Sequence, residues 1–217
     1  MSNLDFIISK LEAFAPPELA EEWDNSGWQV FLGNKNITRI MLALSPTEDV
    51  IVSAVNKGCE LLITHHPMFY TSLKHRNLQI YAAHTNLDFA PSGIAERLIE
   101  MFRPEKEETL ENIVNKVKDI LGAKTIKLIN PSNIQTVKKI AVMPGSGGSL
   151  IPSLKDIDLY ITGDVKYHDA LEAKNFAVID AGHFETERII LPVLRDLLKE
   201  FDVQVFIAEE KPPWEFV

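Results

Sequence analysis

The chain has 217 residues, 46% of them apolar, a single cysteine and a formal net charge of −9. That length suits one large or two compact domains with a sizeable core, and the acidic balance argues against a broad phosphate-binding face, so nucleic acid is not an expected partner. No run approaches eighteen apolar residues and no basic region precedes a long apolar stretch at the N-terminus, so neither a membrane span nor a signal peptide is expected. Cys59 has no partner for an internal disulfide. The expectation is a cytoplasmic protein.

Taken in chain order, strand-like and helix-like runs alternate. Leu4 to Phe14 has helical spacing (Leu4, Ile7, Ile8, Leu11) and is stopped by Pro16-Pro17. Trp28 to Leu32 and Ile40 to Leu44 read as strands. Thr47 is a plausible N-cap for a helix through Lys57, closing at Gly58. Leu61 to Thr64 and Ile80 to Ala83 are further strands, and Ser92 caps a helix to Phe102. This alternation predicts an α/β fold with parallel strands and right-handed crossovers.

After Arg103-Pro104 the order repeats. The charged stretch Glu105 to Glu108 opens a helix with apolar Leu110, Ile113, Val117, Ile120 and Leu121, ended by Gly122. Strands follow at Ile126 to Ile129, Ile140 to Met143, Leu159 to Thr162 and Ala177 to Ile179. A helix then runs to Phe201, kinked by the internal Pro192, and Val203 to Ile207 is the last strand. Leu61-Leu62-Ile63-Thr64 matches Leu159-Tyr160-Ile161-Thr162. One strand later, His84-Thr-Asn-Leu-Asp88 matches His183-Phe-Glu-Thr-Glu187 at an offset that differs by a single residue. The chain therefore reads as two similar lobes, 1–103 and 104–217.

Four of the six histidines (His65, His66, His84, His183) fall at predicted strand ends, together with Asp88, Asp164 and Glu187. Ligands bind beyond the carboxyl ends of strands in open α/β sheets. A lone strand-end histidine is usually structural, and His75 and His168 read that way. Adjacent histidines plus two His-x3-acid motifs in duplicated halves reverse the odds. They offer more donors than one tetrahedral ion takes and suit two ions sharing a carboxylate. Imidazole with carboxylate suits Zn, Mn, Fe, Co or Ni.

ITHHP, AHTNLD, GDVKYHDA and DAGHFETE, with Trp23-Asp-Asn-Ser-Gly27, closely resemble the Nif-three-like dinuclear metal-centre family, whose members are often labelled GTP cyclohydrolase 1 type 2 homologues. The resemblance covers nearly the whole chain. It implies two intertwined α/β repeats with mixed sheets, a pair of divalent metal ions between them, and a ring-shaped homohexamer. The family's ligand pattern falls on His65, His66, Asp88, His183 and Glu187, with Glu187 as the favoured bridge. The connection from His66 to His84 is shorter than the family's loop and helix, which makes Thr71 to Gln79 a shortened lid, a deletion or a missing piece.

Two functions compete. The favoured one is a metal-dependent hydrolase acting on a small nucleotide-like, phosphorylated or cyclic amide substrate, with His168 as the candidate general acid. The other is a non-catalytic metal-binding regulatory or scaffold ring. Pro144-Gly-Ser-Gly-Gly-Ser149 is an anion-binding turn at best and a plain tight turn by preference. Trp23-Asp24-Asn25 either lines the site or plugs a loop with a buried Trp.

Overall fold

The computed structural model describes residues 3–68 and 77–215. His75 and residues 71–76 of the expected short lid lie outside them. Contacts divide the chain into two compact units: Met1–Gly93 with Ile190–Lys211, and Ile94–Ile189 with Pro212–Val217. The sequence repeat alone gives lobes 1–103 and 104–217. Compactness assigns the segment Ile190–Lys211 to the first unit.

The first unit is built of α1 (Asn3–Phe14), β1 (Gly27–Val30), β2 (Arg39–Ala43), α2 (Glu48–Asn56), β3 (Leu61–Thr64), β4 (Gln79–Ala82) and α3 (Thr85–Phe89). α1 buries Leu4, Ile7, Ile8 and Leu11, as its spacing predicts. α2 starts at Thr47, whose hydroxyl accepts the Val50 N–H. β2, β3 and β4 are parallel, and β1 pairs antiparallel with β4 at the sheet edge. β3 and β4 are buried at every position, the pattern of a sheet covered on both faces. Met41, Val50, Ile51, Ala54, Cys59, Leu62, Leu78 and Ile80 make a core against one of those faces.

The second unit repeats this plan. It comprises α4 (Ile94–Phe102), β5 (Glu108–Thr109), α5 (Leu110–Leu121), β6 (Lys127–Ile129), β7 (Thr136–Val137), β8 (Ile140–Ser146), β9 (Leu159–Gly163), α6 (Tyr167–Leu171), β10 (Ala177–Asp180) and α7 (His183–Glu187). Its sheet order is β6-β10-β9-β8 and the first sheet's is β1-β4-β3-β2, each with one antiparallel edge strand on three parallel ones. The mixed α/β architecture and the duplication are thus present in the hydrogen-bond register itself. β8 runs on past Met143 to Ser146, with a register shift where Pro144 and Gly145 interrupt the ladder.

The last two elements depart from the sequence reading. The expected helix to Phe201 is broken into α7, a 3-10 turn (Arg188–Ile190) and α8 (Leu191–Leu197). Pro192 does not kink a long helix. It sits in the first turn of α8, where a missing N–H leaves no hydrogen bond unmade. β11 (Gln204–Ile207), expected in the second lobe, pairs in parallel with β2 and widens the first sheet to five strands. The charged residues 105–108 also stay outside a helix. α5 begins instead at the Thr109 cap, because a hydroxyl accepting the Asn112 N–H competes well with four charged side chains. No described helix is long and apolar enough to cross a membrane.

A carboxylate locks each repeat at the same place. Glu60, just before β3, accepts the N–H groups of Thr38 and Arg39 at 3.1 and 2.8 Å. Asp158, just before β9, accepts those of Lys138 and Lys139, both at 2.8 Å. Burial opposes ionisation of Glu60, but these bonds outweigh it and hold its carboxyl below the ordinary range. A depressed carboxylate stabilises above its unfolded pKa of about 4.3, and that contribution is lost as pH falls through the folded value. Glu60→Gln is therefore expected to lower unfolding free energy by about 1 kcal/mol at neutral pH. Denaturant titrations should show the gap to wild type closing below about pH 4.

Candidate metal centre

In the first unit, β3 ends at Thr64 and delivers two imidazoles in succession. His65 is completely buried. Its Nδ1 lies 3.0 Å from the Ala83 carbonyl oxygen, which can only accept, so Nδ1 carries the proton and Nε2 the lone pair. That Nε2 faces Asp88 Oδ1 at 3.8 Å, beyond hydrogen-bond length. Asp88 is itself buried in α3. His66 is held by the residues that follow β2. Its backbone N–H donates to Leu44 O at 2.8 Å, and its Nδ1 meets Ser45 Oγ at 2.8 Å.

His84 completes this cluster. It follows β4 and precedes α3, with its Nδ1 2.8 Å from Asp24 Oδ1. The Asp24 carboxylate, 1% exposed, also accepts from Thr85 N, Thr85 Oγ1 and Ser26 Oγ. Burial would raise its pKa, yet these bonds hold it far below the usual carboxylate range. The Trp23-Asp-Asn-Ser-Gly27 loop thus serves as the anchor of His84. Trp23 is 72% exposed, so it is no buried plug, and its ring meets that of His84 edge-on. One ring nitrogen from each of His65, His66 and His84 lies within 4.8 Å of the others. Burial, with His65 and His66 close by, lowers the His84 pKa despite Asp24.

In the second unit, β10 ends at Asp180 and α7 carries His183 and Glu187 one turn apart. His183 Nδ1 bonds Asp164 Oδ2 at 2.7 Å, and its Nε2 lies 3.0 Å from Glu187 Oε1. Burial works to lower the His183 pKa, but the two carboxylates override it and raise it to about 9. Asp164 takes a left-handed backbone (φ 52°), a conformation Asp tolerates and one that gathers at functional sites. Gly145, also left-handed at φ 61°, leaves the space these side chains use. A Cβ there would lie 2.3 Å from Glu187 Oε1 and 3.3 Å from His183 Nε2.

One rule covers all four imidazoles: Nδ1 is held by a fixed oxygen (Ala83 O, Ser45 Oγ, Asp24 Oδ1, Asp164 Oδ2). This is the arrangement that orients a metal-binding histidine through its other nitrogen. With carboxylates beside them, the donor set fits Zn, Mn, Fe, Co or Ni.

The sequence pattern of the Duf34/NIF3 (NGG1p interacting factor 3) family matches residues 2–213. The chain belongs to the Duf34/NIF3 family. It is 33% identical to a GTP cyclohydrolase 1 type 2 homolog of Clostridium perfringens (strain 13 / Type A) over 99% of this chain and all of that protein. It is 31% identical to a GTP cyclohydrolase 1 type 2 of Helicobacter pylori over the full length of both. Among solved structures, reduced HcgD from Methanocaldococcus jannaschii matches with a TM-score of 0.82 at 25% identity, covering 97% of this chain and 98% of that one. A Staphylococcus aureus hypothetical protein shares the fold at a TM-score of 0.84 and 22% identity, covering 100% and 99%.

Within this Duf34/NIF3 chain the other candidates stand apart. His168 is exposed on α6, against the Tyr167 ring. The Pro144 to Ser149 turn spends its Gly145 and Gly147 N–H groups on Thr186 and Thr162 hydroxyls, which supports the plain-turn reading. Burial pushes the Cys59 thiol up to about 11, so it is no nucleophile. Sequence reasoning placed Asp24 in a loop with site-lining as one of two readings, without naming His84 as its partner, and it missed Ser45 and Ala83, which carry no motif that names a histidine. Gly145→Ala is expected to destabilise the protein by about 1–2 kcal/mol from backbone strain alone. Thermal denaturation checks this: a loss of that size means the Glu187 carboxylate moves aside, a larger one adds its clash with the new Cβ, and unchanged stability would overturn the strain argument.

Proposed function

We propose that this chain is a divalent-metal protein with hydrolase chemistry, holding two ions per chain through His65, His66, Asp88, His183 and Glu187. The observation that carries the reading is the shared Nδ1 anchoring of the imidazoles, each by an oxygen that its own unit fixes in place. The state of His183 adds to it. An imidazole between Asp164 and Glu187 keeps a positive charge to about pH 9, so this position calls for a cation. When bound, divalent ions supply Lewis-acid polarisation of a carbonyl or phosphoryl oxygen. The chain's own residues hold and orient: Asp24 fixes His84, Asp164 fixes His183, and Gly145 keeps room for Glu187.

The relatives named GTP cyclohydrolase 1 type 2 favour a small nucleotide-like substrate. Assembly into a homo-oligomer, with six chains the family expectation, is proposed with it. The edge strand β1 supports this, since Trp28, Phe31 and Leu32 in and just after it are 37%, 53% and 46% exposed. Among the described residues β1 ends the sheet, and an edge with apolar side chains calls for a cover. Light scattering at micromolar concentration is expected to give an oligomer, and a stable monomer would refute it.

Purified, unstripped protein is expected to carry about two transition-metal ions per chain by elemental analysis. The His65→Ala, His66→Ala double variant should lose metal with its far-UV circular dichroism preserved. Two ions retained in that variant would overturn the ligand set. Hydrolysis is to be sought across nucleotides and phosphoesters after reloading with Zn, Mn, Fe or Ni, and a loaded protein inert to all of them would favour the scaffold reading. If turnover is found, His168→Ala separates a general acid from a solvated helix residue: about 100-fold slower with metal content unchanged, or no change at all.

A further inference from the structure

The segment after β11 ends in a contact that the proposed ligand set leaves unused. Ala208 N–H donates to Leu42 O at 2.8 Å, which lays the chain along the end of β2. Two residues on, the half-buried Glu210 carboxylate accepts two consecutive backbone N–H groups, Leu44 N at 2.6 Å and Ser45 N at 2.9 Å. Ser45 in turn places its Oγ 2.8 Å from His66 Nδ1, and Leu44 O accepts the His66 N–H. One carboxylate from the far end of the chain therefore fixes two residues that hydrogen-bond His66, Leu44 at its backbone and Ser45 at its ring.

We propose that Glu210 and Ser45 are positioning residues for His66: the Glu210 carboxylate clamps the Leu44-Ser45 backbone so that Ser45 Oγ accepts the His66 Nδ1 proton and Nε2 presents its lone pair. The inference rests on the reading of His66 as a metal-facing residue. The chemistry is that of a ligand's supporting oxygen, which sets the tautomer and the ring orientation together. A serine hydroxyl can donate or accept, so it needs a fixed backbone to impose one role. A carboxylate taking two adjacent N–H groups supplies that fixity, because charge-assisted bonds are shorter and stronger than neutral ones.

Two measurements test it. In metal-free protein, long-range proton–nitrogen NMR should find the neutral His66 ring protonated at Nδ1, and Ser45→Ala should return the proton to Nε2, its usual place in an isolated imidazole. A wild-type ring protonated at Nε2 overturns the proposal. Zinc affinity, measured by competition with a chromophoric chelator, should fall about tenfold or more in Ser45→Ala. Ser45→Thr keeps the hydroxyl and should recover most of the loss. Glu210→Gln should weaken zinc binding in the wild-type background and have a clearly smaller effect in the Ser45→Ala background, since its hold on the His66 ring passes through Ser45. Equal weakening in both backgrounds, or unchanged affinity in Ser45→Ala, overturns the proposal even where thermal stability drops. A wild-type protein with the Nδ1 proton but no zinc uptake would leave the positioning role standing and overturn the metal reading instead.

Discussion

An imidazole directs one ring nitrogen only when the other is held, and the rest of this structure is arranged around that requirement. The holders are of three kinds. His65 uses a backbone carbonyl at the end of β4, His66 a hydroxyl just past β2, and His84 and His183 use carboxylates from loops. A carbonyl is the most rigid of these, because the parallel register of β3 and β4 places it, with Ala83 N–H bonded to Thr64 O. Hydroxyl and carboxylate holders need support of their own. Asp24 receives it from Thr85 and Ser26, and Ser45 from Glu210.

The two repeats share a scaffold and differ in electrostatics. Both run a parallel pair, β3–β4 or β9–β10, into a short helix that carries an acid, with a histidine at its start. Both start that pair from a carboxylate that caps the preceding strand, Glu60 or Asp158. The first repeat then gathers three imidazoles, whose mutual proximity and burial depress protonation at His84. The second sets one imidazole between two carboxylates and promotes protonation. The duplicated backbone thus carries opposite charge preferences in its two units.

The return of the chain matters as much as the duplication. β11 adds a fifth strand beside β2, and Phe206 and Ala208 pack on the first unit's core. The last turn of that excursion carries Glu210 onto the β2 end. Pro192 makes the excursion possible by starting a new helix where the sequence pattern suggested a continuous one. Breaking the helix there reorients the chain without leaving a buried backbone group unsatisfied.

Much of this was legible in the sequence. Strand alternation, the matched Leu61–Thr64 and Leu159–Thr162 runs and the paired His-x3-acid motifs are local patterns, set by burial on both faces of a parallel sheet and by side chains one helical turn apart. They determined the α/β class, the internal repeat and the strand-end histidines. What tertiary structure alone decided lies at long sequence separation: Asp24 on His84, Ser45 on His66, Glu210 on Ser45, β11 on β2. A serine or an aspartate in a loop has no periodicity to betray its partner, and a hydrogen bond between distant residues depends on where the sheets place their ends. For the same reason the joining of β11 to the first sheet could not be read from its own apolar run, since a buried edge pairs with whichever strand end the chain can reach.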